Sequence, residues 1–166
     1  DVLSRSSSKS DDAVLHAYQS IDMLKDCDIL IIQHANVVTI YPELIIKSIN
    51  ILTSDNSITS VVPAHINNEY NPYRSFCLNE NTIEPFIEFN KTISPNRQDL
   101  PDAYFLDHSF WCIRTKNLLE NQNFCPWNSL GNKILPILTK EMFDIHGKED
   151  VDKSIIWLEE NKDKIK

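Results

Sequence analysis

The sequence predicts an α/β fold with a mainly parallel sheet, and three features predict it. Asp28-Ile29-Leu30-Ile31-Ile32-Gln33 is a short continuous apolar run bounded by polar residues. That is the pattern of a strand covered on both faces, hence of a central parallel strand. An amphipathic segment opened by Tyr41-Pro42-Glu43 comes next, and residues 58–62 form a second strand-like run. Strand, helix, strand in that order describes a right-handed crossover between parallel strands.

Ahead of the first strand, the polar stretch Ser4-Arg5-Ser6-Ser7-Ser8-Lys9-Ser10 leads into a helix, with Ser10-Asp11-Asp12 placed to cap it. Val14, Leu15, Tyr18 and Ile21 supply its apolar spacing. In the second helix Pro42 suits the first turn, and Ile45, Ile49 and Leu52 form the stripe to be buried. From 63 to 101 the pattern breaks into short β-like pieces at 75–78 and 83–89, separated by prolines and asparagines. This insert reads as an excursion from the sheet: a lid, a dimer arm or a plain surface loop. The core resumes at 104–113, continues through 134–138 and 142–145, and closes on a helix carrying Val151, Ile155 and Leu158. There is no internal repeat, and residues 1–166 read as one domain.

The chain has 166 residues, 42% hydrophobic and 24% charged, which suits a soluble globular protein with a real core. Its longest apolar runs are strand-sized, too short to cross a bilayer. A formal net charge of −8 is a poor match for a phosphate backbone, which argues against nucleic acid as a partner. An anionic ligand would need a few local cations or a metal ion. Cys27, Cys77, Cys112 and Cys125 are far apart, without a C-x-x-C pair or a secretory signal, and read as reduced thiols of a cytoplasmic protein. With only two glycines, Gly131 and Gly147, the chain holds no Gly-rich phosphate loop.

Few residues stand out as carriers of chemistry. Gln33 closes the first strand, where open α/β sheets place ligands, and reads either as an amide facing a substrate or as a strand end tied to a nearby loop. Asn96-Arg97-Gln98-Asp99-Leu100-Pro101 sets a guanidinium, an amide and a carboxylate just before a core strand. Arg97 could clamp a carboxylate or phosphate through two parallel hydrogen bonds, or simply pair with Asp99 on the surface. In Asp144-Ile145-His146 the spacing places two side chains on one face of an extended segment, as ligands of one ion or as ordinary strand-end residues. One carboxylate with one imidazole suits Zn, Mn or Fe better than Mg²⁺. His16, His34, His65 and His108 show no metal-ligand spacing, and Trp111, Trp127 and Trp157 read as core or interface, with Trp111 alone in a plausible pocket position.

Taken together, Asn96-Arg97-Gln98-Asp99-Leu100-Pro101-Asp102-Ala103-Tyr104 followed by Ser109-Phe110-Trp111 resembles the signature of the acylneuraminate cytidylyltransferases, the CMP-sialic acid synthetases and their relatives. Asp28 to Gln33 is similar to the family's strand ending in Leu-Gln, Ser60-Val61-Val62 to its next strand, and Asn71-Pro72-Tyr73 to its His-Pro-Tyr segment. Phe143-Asp144-Ile145 with Glu149-Asp150 is similar to its closing acidic segment. The likeness runs from about Arg5 to Leu158. It implies a Rossmann-like nucleotidyltransferase fold, a homodimer using the 63–101 insert, and transfer of CMP from CTP to a nine-carbon, sialic-acid-like nonulosonic acid with release of pyrophosphate, as in lipopolysaccharide biosynthesis. It further implies Mg²⁺, or Mn²⁺, held at Asp144 and His146, catalytic roles for Arg97 and Asp144, and substrate contacts from Arg5, Ser10, Gln33, Arg97, Gln98, Asp107 and Trp111.

The departures from the family are specific. Its amino-terminal strand and Gly-Ser-Lys phosphate loop have no counterpart, so this chain alone is expected to be inactive. His34-Ala35-Asn36-Val37 stands for the family's Pro-Thr-Ser-Pro, Asp107-His108-Ser109 for its Asn-Gly-Ala, and His146 for its second metal-binding Asp. These substitutions suit a noncatalytic sugar-nucleotide-binding or assembly protein of the same fold, whereas retention of Gln33, Arg97 and Asp144 suits an enzyme.

Overall fold

The computed structural model describes residues 9–88, 92–120, 125–140 and 144–165. Helix α1 (Ser10–Ser20) starts from Lys9 with no side-chain cap, so Ser10 is the first helical residue rather than its cap. Asp11 instead reaches across the fold, accepting from the Ser129 hydroxyl at 2.6 Å and the Ser129 backbone N–H at 3.2 Å. Val14, Leu15 and buried Tyr18 face the core as their spacing predicts, whereas Ile21 stays exposed.

The main sheet combines β1 (Ile29–Gln33), β2 (Ser60–Ile66), β5 (Tyr104–Leu106), β6 (Phe110–Arg114) and β7 (Ile134–Leu138). Helix α2 (Pro42–Ser54) links β1 to β2. The α/β class is as expected, but the mainly parallel sheet is not: β1 pairs β6, β6 pairs β2 and β5 pairs β2, all antiparallel, and only β7 runs parallel to its neighbour β2. Strands β1 and β2 do point the same way, yet the returning strand β6 lies between them. A fully covered strand looks alike in either direction, so an apolar run cannot announce its orientation. Nor is β1 central. Among the described residues it pairs with β6 alone, and Ile31 is 42% exposed.

Buried throughout, β6 is the strand around which two cores assemble. Trp111 and Ile113 join Tyr18, Val62, Leu118 and Leu130 on the α1 side. Phe110 and Cys112 join Leu52, Ile58, Val61 and Ile137 on the α2 side. This alternation is the period of two that a strand imposes.

Strand β2 continues through Pro63, past its expected end at 62. Proline has no N–H to give to a ladder, so inside a sheet it needs a place where the partner strand lets go. The Pro63 carbonyl accepts from the Asp107 N–H at 2.8 Å, which fixes the edge toward which the missing donor also points. Along that edge Val61 faces Cys112 and Ala64 faces Leu106, so two residues of β2 lie opposite the five of 107–111. The single strand expected over 104–113 is therefore interrupted by a large bulge.

In helix α4 (Lys148–Asn161) the expected buried stripe is reversed: Val151, Ile155 and Leu158 are exposed, while Ser154 and Asn161 are buried. Both polar side chains are satisfied by their own helix, Ser154 Oγ donating to the Asp150 carbonyl and Asn161 Nδ2 to that of Trp157. The Trp157 ring meets Tyr41 edge-on at 5.2 Å, anchoring that face beside α2. No helix among the described residues is long and apolar enough to cross a membrane.

Between β2 and β5, β3 (Phe76–Asn79) and β4 (Thr82–Pro85) form a separate antiparallel hairpin, exposed along its length. Phe76 opposite Pro85 and Leu78 opposite Ile83 give it one apolar face.

The far end of the sheet is locked by buried polar groups. Arg114 donates from Nε to the Ile58 carbonyl and from Nη2 to those of Leu52 and Asp55, closing the carboxyl end of α2. Asn117, at the start of the short helix α3 (Lys116–Leu119), donates to the Thr59 and Ser129 carbonyls at 2.9 and 3.0 Å. Thr59 Oγ1 donates to the Leu130 carbonyl and accepts from the Lys133 N–H, each at 2.9 Å. Gly131 sits against this knot at φ +74°, and a Cβ there would lie 2.5 Å from Thr59 Cβ. Gly131→Ala is therefore expected to cost at least about 2 kcal/mol, from the left-handed backbone and the overlap together. Urea unfolding measures it, and an unchanged midpoint would contradict the tight packing.

Candidate functional site

The bulge places its side chains beside the carboxyl end of β1, because Gln33 pairs with Phe110 and the chain then turns directly over residues 107–109. His34 follows Gln33, and its ring meets those of His108 and Trp111, each at 5.2 Å. Trp127 completes the group, 5.2 Å from Trp111 and 5.7 Å from His108. Trp111 is buried, at 2% exposure. It lies beneath the bulge, its Nε1–H donating to the Asp107 carbonyl at 3.1 Å, and holds the backbone there.

Asp107 is buried with its carboxylate turned into the bulge. Oδ1 accepts from the Ser109 N–H at 2.9 Å, and Oδ2 from the Thr139 hydroxyl at 3.5 Å. Burial pushes its carboxyl above the ordinary range, partly offset by the Ser109 hydrogen bonds and by the nearby imidazoles of His65 and His108. Burial, then the neighbouring His108, lowers the His34 pKa and favours its neutral ring. Thr139 also lines a cleft of about 540 Å³ with His65, Asn67, Leu138 and Lys140, at the carboxyl ends of β2 and β7. Sheet ends of this kind are where α/β folds take ligands.

Asp144 lies against the turn that follows Gln33 and His34. It forms an isolated antiparallel bridge with Val37, and the Ile145 N–H donates to the Asn36 carbonyl at 2.7 Å. Its Oδ2 accepts from the Asn36 amide at 3.5 Å and lies 2.8 Å from His146 Nε2. The expected pair is thus brought together, and the turn after Gln33 holds it near the end of β1. Magnesium asks for a nearly complete octahedron of oxygen ligands. One carboxylate, an imidazole 2.8 Å from it and an amide on the same oxygen do not fit that shell. No group of three or more His, Cys, Asp or Glu residues able to hold a metal ion occurs among the described residues.

Arg97 and Gln98 occupy the exposed turn Arg97–Asp99. Arg97 Nη1 donates to Glu69 Oε2 at 2.9 Å, not to Asp99, which is held by Ser94 and Asn96. No hydrogen bond or ion pair joins Arg97 to Gln33 or Asp144 among the described residues. Ser10 is exposed on α1, and Arg5 lies outside the described residues. His34, His108, Trp127 and Thr139 join the site without a sequence signal: only the bulge and the turn after Gln33 bring them together.

No family model matches the chain, and none of the curated proteins does. Among solved structures it is similar to CMP:2-keto-3-deoxy-manno-octonic acid synthetase complexed with CTP, at a TM-score of 0.59 and 11% identity over 92% of this chain and 69% of that one. The likeness is one of fold. This sheet, with its antiparallel strands and covering helices, shares that synthetase's fold.

Asp107 makes this site measurable through pH. Because its folded pKa lies above the ordinary 3.8, the folded chain holds more protons than the unfolded one between the two values, and stability falls as pH rises through that window. Relative to Asp107→Asn, the native protein should be most favoured near or below pH 3.8 and lose that advantage toward neutrality. Urea midpoints of both proteins at a series of pH values test this; a constant gap would show an unperturbed carboxylate.

Proposed function

We propose that the chain acts in a cytidylyltransferase that transfers CMP from CTP to a sialic-acid-like nonulosonic acid and releases pyrophosphate. One juxtaposition carries the reading: in a fold shared with a synthetase solved with CTP, Gln33, the Asp107 bulge and Asp144 lie about the end of one strand. The anomeric hydroxyl of the sugar acid attacks the α-phosphorus in line, pyrophosphate leaves opposite, and no covalent enzyme intermediate forms. Catalysis of this kind is mostly positioning and charge stabilisation. Gln33 offers an amide donor and acceptor to the substrates. Arg97, whose surface pair with Glu69 is cheap to break, clamps the sugar carboxylate, with Gln98 beside it and Ser10 and Arg5 toward the nucleotide. Asp144 and His146 do not fit Mg²⁺, so the charge stabilisation named here comes from the protein's own side chains. Four free cysteines suit a cytoplasmic enzyme.

The test is pyrophosphate release from CTP, in Mg²⁺ or Mn²⁺, over a panel of nonulosonic and other 2-keto sugar acids, with this chain and with the product of its whole reading frame. Release should require CTP and one acid together, and Arg97→Ala should raise KM for the acid at least about tenfold while leaving that for CTP nearly unchanged. Absence of product with every acid would sink the enzyme. CTP binding without turnover would favour the noncatalytic sugar-nucleotide-binding reading.

As partner we propose a second copy of the chain, seated on the hairpin. A two-stranded hairpin is barely stable in water by itself, and one that exposes Phe76, Leu78 and Ile83 on one face needs cover. Leu78, 75% exposed, can be changed to Glu without touching the core. Leu78→Glu should convert a dimer to a monomer in sedimentation velocity; a native chain monomeric at high concentration, or a variant still dimeric, would reject this interface.

A further inference from the structure

We infer that His146 takes the place of Mg²⁺ at Asp144, so that this carboxylate faces an imidazole and an amide and does not hold that ion. The inference rests on the nucleotidyltransferase reading only for the expectation of an ion there. Everything else is local geometry. Residues two apart on an extended segment share a face, which brings the imidazole of His146 within 2.8 Å of Asp144 Oδ2. The turn after Gln33 delivers the Asn36 amide to the same oxygen, at 3.5 Å.

For Mg²⁺ to bind, the imidazole N–H would first have to leave. The ion would then find one carboxylate where a hard cation asks for several oxygens, together with an imidazole it binds poorly. A second carboxylate at 146 would remove the competing donor and add an anionic oxygen on the same face. The His146 side chain is 76% exposed, so replacing it leaves the core untouched.

The experiment titrates Mg²⁺ alone, without nucleotide, into the native chain, Asp144→Asn, His146→Asp and the double variant, reading binding by isothermal titration calorimetry and folding by circular dichroism. The native chain should match Asp144→Asn. His146→Asp should bind Mg²⁺ at least about tenfold tighter, and the double variant should lose that gain. An Asp144-dependent site in the native chain as tight as that of His146→Asp would overturn the inference, and so would a His146→Asp protein that gains nothing. Because no CTP enters the measurement, failure of CMP transfer would leave this result standing, and failure here would leave the transferase test open.

Discussion

A missing hydrogen-bond donor at Pro63 governs the arrangement of this protein. A proline inside a sheet is tolerated only where the neighbouring strand breaks, and here the neighbour breaks by inserting residues 107–111 opposite Val62 and Pro63. The surplus is three residues, an odd number, so the interruption also reverses which side chains face which layer. Leu106 packs on the α1 side although it has the same parity as Cys112, which faces α2. Without the bulge, Trp111 and the α1 core could not be paired in this register. With it, Asp107 and His108 are thrown out toward the end of β1, where the candidate site forms.

The opposite end of β6 is built on a different rule. There the buried polar groups of Arg114, Asn117 and Thr59 are spent on backbone carbonyls and N–H groups of α2, β2 and the loop before β7. Such interior hydrogen bonds add little net stability when made and cost much when broken, so they fix geometry more than they add free energy. One strand thus joins a rigid end to an open one. The open end carries the polar, half-exposed side chains that a ligand could reach, and the rigid end keeps their spacing constant.

Much of this frame was legible in the sequence, and the failures share a cause. The α/β class, the α2 stripe ending at buried Leu52, the strand-end position of Gln33 and the approach of Asp144 to His146 all follow from local periodicity, and all are present. Strand direction is not local, so the antiparallel insertion of β6 could not be read. Pro63 looked like a boundary because the rule against proline in strands ignores what the partner strand does. Val151, Ile155 and Leu158 looked like a core stripe because apolar spacing does not reveal that Ser154 and Asn161 can be buried once their own helix satisfies them. His34 and His108 meet only through the bulge, and Arg97 finds Glu69 rather than its sequence neighbour Asp99. Each miss is a partner chosen by topology.

Charge poses the remaining problem, and the same topology answers it. A protein of net charge −8 that places Asp107 and Asp144 near one sheet end would repel an anionic substrate. Each of the two carboxylates is muted in its own way. Asp107 is buried, which favours its neutral form, while Asp144 is engaged by His146 and Asn36. Lys140 lines the adjoining cleft, and among the described residues Arg97 is paired with Glu69 in a solvent-exposed contact that salt screens. The local field at this sheet end therefore differs from what the total charge alone would give.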